Sequence, residues 1–158
     1  MNLSKFFHQQ EEYNKQFLLD KNLNPYKIKA RKNLEIQIKI GDLANSTKCF
    51  NYCINKDDSI SITTIKEKYI DCFCSIISLG LDSNFSSMCN LLIKPNDYCL
   101  SDQFLNLYID VNDLIISPSL DHYKTLLEDY ISLGITLGFS IQSIEEQFFK
   151  KTITEIAL

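Results

Sequence analysis

Four glycines and three prolines in 158 residues leave this chain with very little punctuation. Barrels, sandwiches and propellers turn every few residues and draw on Gly and Pro to do so. Their scarcity predicts long helices, and a hydrophobic content of 45% supplies the material for a core. A mean hydropathy of −0.10 fits neither a disordered chain nor a membrane-embedded one. The longest apolar run falls well short of the roughly 20 residues a membrane span requires. The length suits one domain over residues 1–158, able to bury about 70% of its unfolded surface. A formal net charge of −4 has the wrong sign for a nucleic-acid binder that neutralises phosphates.

Periodicity divides the chain into six helices. The first is predicted over Leu3–Leu19 with Ser4 as its cap, broken by Asn24-Pro25. The second runs from about Tyr26 to Cys53, with Ile36, Ile40, Leu43, Ala44, Thr47 and Phe50 on one face. After a polar turn at Asn55–Ser59, Thr63 or Thr64 caps a third helix reaching Leu81, whose core face carries Ile65, Tyr69, Cys72, Ile76 and Leu79. Ser83–Asp97 reads as a loop with one helical turn. A fourth helix is predicted over Ser101–Ile116, a fifth over Ser119–Leu137 stopped by Gly138, and a last one capped by Ser140. Ile60–Thr64 is the one short strand candidate. Ser78-Leu79-Gly80 followed by Phe85-Ser86 recurs as Ser132-Leu133-Gly134 followed by Phe139-Ser140, which fits related helical hairpins.

Six cysteines do not form a zinc pattern, because no CxxC pair exists and His8 and His122 are the only imidazoles. Cys49, Cys53, Cys72 and Cys74 fall in helical, partly apolar runs. The N-terminus lacks the apolar core of a secretory signal. Reduced thiols packed as small hydrophobes, in a cytoplasmic protein, are therefore expected. Gly134 and Gly138 form a GxxxG beside Glu128 and Asp129, which predicts close helix packing rather than a membrane motif. His8 is expected on the surface and His122 in a first helical turn, neither with a chemical role.

The polar faces of the second and third helices carry the one suggestive constellation. Glu35, Lys39, Asp42 and Ser46 share one face, and Lys68, Asp71 and Ser75 another. Each helix thus presents a K-x-x-D pair, and antiparallel packing would bring the pairs together across a groove. From spacing alone the favoured reading is two solvated salt bridges worth about 0.2–0.5 kcal/mol each.

The stretch IQIKIGDLANSTKCF, from Ile36 to Phe50, resembles the LQVELGELANETRCFKFW signature of dimeric all-α dUTP pyrophosphatases, relatives of the MazG-like NTP pyrophosphatases. Glu67-Lys68-Tyr69-Ile70-Asp71-Cys72-Phe73-Cys74, with Ser78-Leu79-Gly80, is similar to that family's EEYVDGLHF…SLG. The opening Met1–Lys5 with Gln10, and Leu137–Ser140 with Ile144-Glu145-Glu146 and Lys150-Lys151, extend the likeness over most of the chain. About Met88 to Ser117 is left unmatched.

The resemblance implies an all-α bundle of five or six helices, a homodimer, and hydrolysis of dUTP to dUMP and pyrophosphate. It also implies Mg²⁺ held by four carboxylates in an ExxE and an ExxD, since small hard cations take oxygen ligands. Carried over, those positions are Lys39, Asp42, Lys68 and Asp71. Only Asp42 and Asp71 remain as metal ligands. Two ammonium groups there repel a divalent cation and offer it no lone pair, so the Mg²⁺ of the family is expected to be lost. Other family positions change in parallel: an acidic residue is Ser46, an aromatic is Cys53, a histidine is Cys74, and two closing asparagines are Thr152 and Glu155.

The nucleotide-contacting positions carried over are Gln10, Lys39, Asn45, Lys48, Lys68 and Lys151, with no catalytic residue retained. The expectation is a catalytically impaired member, a pseudoenzyme that binds a nucleoside triphosphate, itself or an unknown protein partner, without nucleic acid or membrane. Two alternatives stand beside it. Lys39 and Lys68 could contact phosphates directly in a metal-free nucleotide binder, or an active pyrophosphatase could use Glu35 or Glu67 in a shifted metal site. Phe148, Phe149, Ile153 and Ile156 are the expected dimer contacts.

Overall fold

A computed structural model describes residues 1–53, 59–88 and 90–154. Their helices are α1 (Ser4–Asn14), α2 (Pro25–Thr47), α3 (Ile62–Asp82), α4 (Leu100–Ile116), α5 (Leu120–Thr136) and α6 (Ile141–Thr154). Among the described residues there is no strand, only an isolated bridge between Asn2 and Asn90. Among the described residues no helix is long and apolar enough to cross a membrane. Most of the turn at Asn55–Ser59, together with Glu155, Ile156 and Leu158, lies outside the described residues.

Capping chemistry sets the boundaries. Asn24 accepts a hydrogen bond from Lys27 N at 2.9 Å and Pro25 occupies the first helical position, so α2 starts sharply. It ends at Thr47, six residues before the expected Cys53, where Lys48 with a φ of 57° turns the chain. Phe50 is accordingly exposed rather than on the core face. The α3 cap is Ser61 instead of Thr63 or Thr64, which converts the short strand candidate into a helix start. At α1 the cap position is Leu3, and Asn2 Oδ1 receives the Ser4 amide, so Ser4 is not the cap. That helix stops at Asn14, five residues short of Leu19. Ser119 and Ser140 accept from His122 N and Ser143 N, both at 3.1 Å, starting α5 and α6 as expected.

Hairpins α2–α3 and α4–α5 pack side by side, with α1 and α6 laid across α3. The tripeptide recurrence is the trace of a repeated device. Tyr69 donates to the carbonyl of Tyr130 at 3.1 Å, and Tyr123 donates to the carbonyl of Ile76 at 3.1 Å. A Cβ on Gly134 would lie 2.4 Å from the Tyr69 hydroxyl, and one on Gly80 would lie 2.2 Å from that of Tyr123. Each hairpin therefore inserts a tyrosine into a glycine notch of the other. Both helices then close alike: Phe85 N reaches Gly80 O at 2.8 Å and Phe139 N reaches Gly134 O at 2.9 Å, with positive φ at Asn84 and Gly138. Of the GxxxG pair only Gly134 makes a close approach; Gly138 faces open space and serves as the turn.

The aromatic core continues outward through Tyr69, Phe73, Tyr130, Phe6 and Phe148. Phe148 belongs to this core, fully buried, and is not a dimer contact; Phe149 packs partly against it, while Ile153 is exposed. Cys72 and Cys74 are buried and not in disulfides, and burial pushes the Cys72 thiol up to about 12. Cys53 is exposed outside any helix, contrary to expectation. His8 lies on the surface, and His122 sits in the first turn of α5 with Nδ1 2.7 Å from Ser117 O.

Substituting Gly80 or Gly134 with alanine should lower stability by about 1–3 kcal/mol through overpacking against a hydrogen-bonded tyrosine. Urea denaturation midpoints would register this as a shift to lower denaturant for either variant.

Candidate functional site

The antiparallel packing of α2 on α3 brings Lys39, Asp42, Lys68 and Asp71 to one small cleft of about 360 Å³, completed by Glu67 and by Lys151 from α6. Apart from one pair along α2, Lys39 with Glu35, the contacts run between helices. Lys39 Nζ lies 2.8 Å from Glu35 Oε1, 2.9 Å from Asp71 Oδ2 and 2.8 Å from Ser75 Oγ. Lys151 Nζ takes the other carboxylate oxygen, Asp71 Oδ1, at 3.2 Å. Lys68 Nζ donates to the backbone carbonyl of Asp42 at 3.3 Å. Neither K-x-x-D pair is a salt bridge of its own.

Burial opposes the charge on both central groups, but hydrogen bonds outweigh it. Partial burial would lower the Lys39 pKa, yet Glu35 and Asp71 hold it raised. Partial burial would raise that of Asp71, yet Lys39 and then Lys151 hold it lowered. Both groups are therefore firmly charged near neutrality.

A larger cleft of about 670 Å³ adjoins this one and shares Lys39, Asp71 and Lys151. Its other wall comes from α1 and the α1–α2 connection. Gln10 is 2% exposed; its Nε2 donates to Asn14 Oδ1 at 2.8 Å, and Asn14 Nδ2 donates to Ser78 Oγ at 3.0 Å. Gln10 Oε1 is buried with no partner. Tyr13 and Phe17 line the same cleft edge-to-face, ring centres 5.0 Å apart, and Cys74 lies on the α3 side.

The structure thus assembles Gln10, Lys39, Lys68 and Lys151 with Asp42 and Asp71 around two joined clefts. Asn45 and Lys48 line neither of them; Lys48 closes α2 instead. Ser46 turns back onto the Leu43 carbonyl at 2.7 Å, and Thr152 is buried against the Phe148 carbonyl at 2.9 Å. Sequence reasoning missed Tyr13, Phe17, Asn14 and Ser78. The available signal was Gln10, a polar residue at helical spacing between Phe6 and Tyr13.

A family model described as dUTPase matches residues 2–156. The chain belongs to the dUTPase family. No curated protein and no solved structure matches it. In this dUTPase-family chain no group of three or more His, Cys, Asp or Glu able to hold a metal ion occurs among the described residues.

Replacing Asp71 with asparagine should cost about 1 kcal/mol, a modest loss because its side chain is 41% exposed. The lowered Asp71 pKa makes its contribution present above its ordinary value of 3.8 and lost as pH falls through the depressed value. The raised Lys39 pKa places the opposite limb beyond 10.5. Thermal melts of both proteins should therefore differ by a constant amount between about pH 5 and 9 and converge in acid.

Proposed function

We propose that this dUTPase-family protein keeps the nucleotide cleft of its family but has lost Mg²⁺-dependent hydrolysis, acting by binding a nucleotide or a protein partner. One observation carries the reading: both oxygens of Asp71 are held by ammonium groups, Lys39 on one and Lys151 on the other. The donor set does not fit a hard divalent cation. Asp42 and Asp71 are the carboxylates left at the carried-over positions, and Lys39 stands among the oxygens of Glu35, Asp71 and Ser75. Gln10, Lys68 and Lys151 face the joined clefts and are the side chains we assign to nucleotide contact.

Purified protein given dUTP and Mg²⁺ should release no pyrophosphate above the buffer rate. Turnover at about 1–1000 per second would overturn the reading. It would favour the alternative, an active pyrophosphatase with a rearranged metal site, for which the supporting observation is that Glu67, Asp42 and Asp71 line one cleft, although as they stand they are not gathered as a metal site. The double variant Lys39→Glu, Lys68→Glu should gain Mn²⁺ binding that the parent lacks, measurable by electron paramagnetic resonance.

A homodimer is the second part of the proposal. Leu105, Ile109 and Ile116 form an exposed stripe on α4, and Leu34 and Ile38 are exposed on α2. The two helices are joined there by the Gln37–Asn112 hydrogen bond at 3.1 Å, so the stripes form one apolar face. Sedimentation should report a dimer, and Ile109→Asp should shift it to monomer. Buried cysteines at positions 72 and 74, not in disulfides, support a reducing, cytoplasmic setting.

A further inference from the structure

The net charge of −4 averages over an uneven surface. The stretch from Lys15 to Lys32 holds six of the 16 cations of the chain and one of its 20 acidic side chains, Asp20. Two of those cations are neutralised locally, Lys15 by Glu12 and Lys32 by Asp82. Lys21, Lys27, Lys29 and Arg31 are exposed and form no salt bridge among the described residues. Apolar side chains stand in the same stretch: Leu18 is 99% exposed, Tyr26 80%, Leu19 61% and Phe17 55%. The α1–α2 connection, residues 15–24, turns at Asp20, whose Oδ1 accepts from Asn22 N at 2.9 Å and whose carbonyl accepts from Leu23 N at 3.0 Å. Phe17, Leu19, Ile28 and Arg31 border one cleft, so the connection lies alongside the first turns of α2 and its apolar tip is close to the cations.

Charge and shape together select the occupant. A side chain as exposed as Leu18 stands on a tip and offers no groove to a helix or strand of a partner. A second copy docked on this surface through a two-fold axis would set four unpaired cations against four. A nucleic acid would satisfy the cations, but Leu18 and Leu19 have no π-face on which a base could stack. An anionic bilayer meets both requirements: its headgroup phosphates and carboxylates attract Lys and Arg, and the acyl boundary beneath them takes leucine and aromatic side chains. Tyr26, with an apolar ring and a polar hydroxyl, suits the interface between the two.

We infer that the α1–α2 connection and the first turns of α2 form a peripheral docking surface for an anionic lipid bilayer, with Leu18 and Leu19 inserted at the acyl boundary and Lys21, Lys27, Lys29 and Arg31 on the headgroups. The expectation of a chain without membrane contact drew on the lack of a spanning segment, which a peripheral contact does not need. The acidic remainder of the surface does not prevent docking either. Exposed charges are screened beyond about 10 Å at 0.1 M salt, so the bilayer meets the local cations.

The chain has no tryptophan, so Leu18→Trp installs a single reporter at the tip. With phosphatidylcholine vesicles rich in phosphatidylserine, its emission should shift to shorter wavelength and be quenched by brominated acyl chains. Pure phosphatidylcholine vesicles should leave it unchanged. In cosedimentation the 158-residue chain should partition at least about 10-fold more strongly onto the anionic vesicles than onto the neutral ones, and high salt should release it. Leu18→Asp, and separately the pair Lys27→Glu with Lys29→Glu, should each weaken that partitioning at least about 10-fold without moving the thermal melt, since all three positions are exposed. An unshifted emission in the presence of anionic vesicles overturns the inference, and so does equal partitioning onto both vesicle types. A duplex oligonucleotide or polyglutamate that binds as well after Leu18→Asp, where vesicles do not bind, assigns the surface to another polyanion and overturns it. A dimer that Leu18→Asp converts to monomer in the absence of lipid assigns the tip to a second copy and overturns it as well.

Discussion

The exchange of Tyr69 and Tyr123 into the notches at Gly134 and Gly80 is the constraint on which the architecture depends. Neither hairpin can shift along the other without driving a hydroxyl into backbone or leaving it unbonded in the core. Because each tyrosine bonds a carbonyl on the opposite helix, α3 and α5 are pinned at short separation. Everything packed on α3 inherits that position. Its remaining faces receive α2, α1 and α6, and the polar edge of α3 becomes the floor of the clefts.

On that floor the electrostatics are self-contained. Lys39 reaches from α2 to α3 and Lys151 reaches from α6 to the same carboxylate. The three helices are thereby tied together by charge where a family member of the resembled pattern would gather carboxylates. Partial exposure keeps the energetic contribution of such pairs small. Their consequence is instead chemical: the oxygens of Asp71 are already occupied by donors, and the clefts carry no positive excess.

Much of this was legible beforehand because it depends on local chemistry. The face of Ile65, Tyr69, Cys72, Ile76 and Leu79 follows from helical period alone, and all five are buried. Ser119, Ser140 and Gly138 mark ends because capping is a property of a few adjacent residues. The errors arose where tertiary context chose between competing signals. Phe50 continues the α2 period but lies beyond the left-handed turn at Lys48. Phe148 looked like an interface residue because an apolar C-terminal helix gives no hint of which face another element covers; it packs on Phe6 and Phe73.

The linear chain by itself determined an all-helical fold, through scarce turn residues and 3.6-residue periodicity, and the resemblance around GDLAN placed four side chains on facing helices. The recurrence of Ser-Leu-Gly was visible too, though its meaning as reciprocal tyrosine sockets was not. Only the tertiary structure decided which charges meet. Lys39 lies three residues from Asp42 and far from Asp71 along the chain, yet it pairs with Asp71, because interhelical distance and partial desolvation, rather than sequence separation, select an ion's partner. The same is true of Gln10, whose amide reaches Ser78 through Asn14 once α1 is folded over α3.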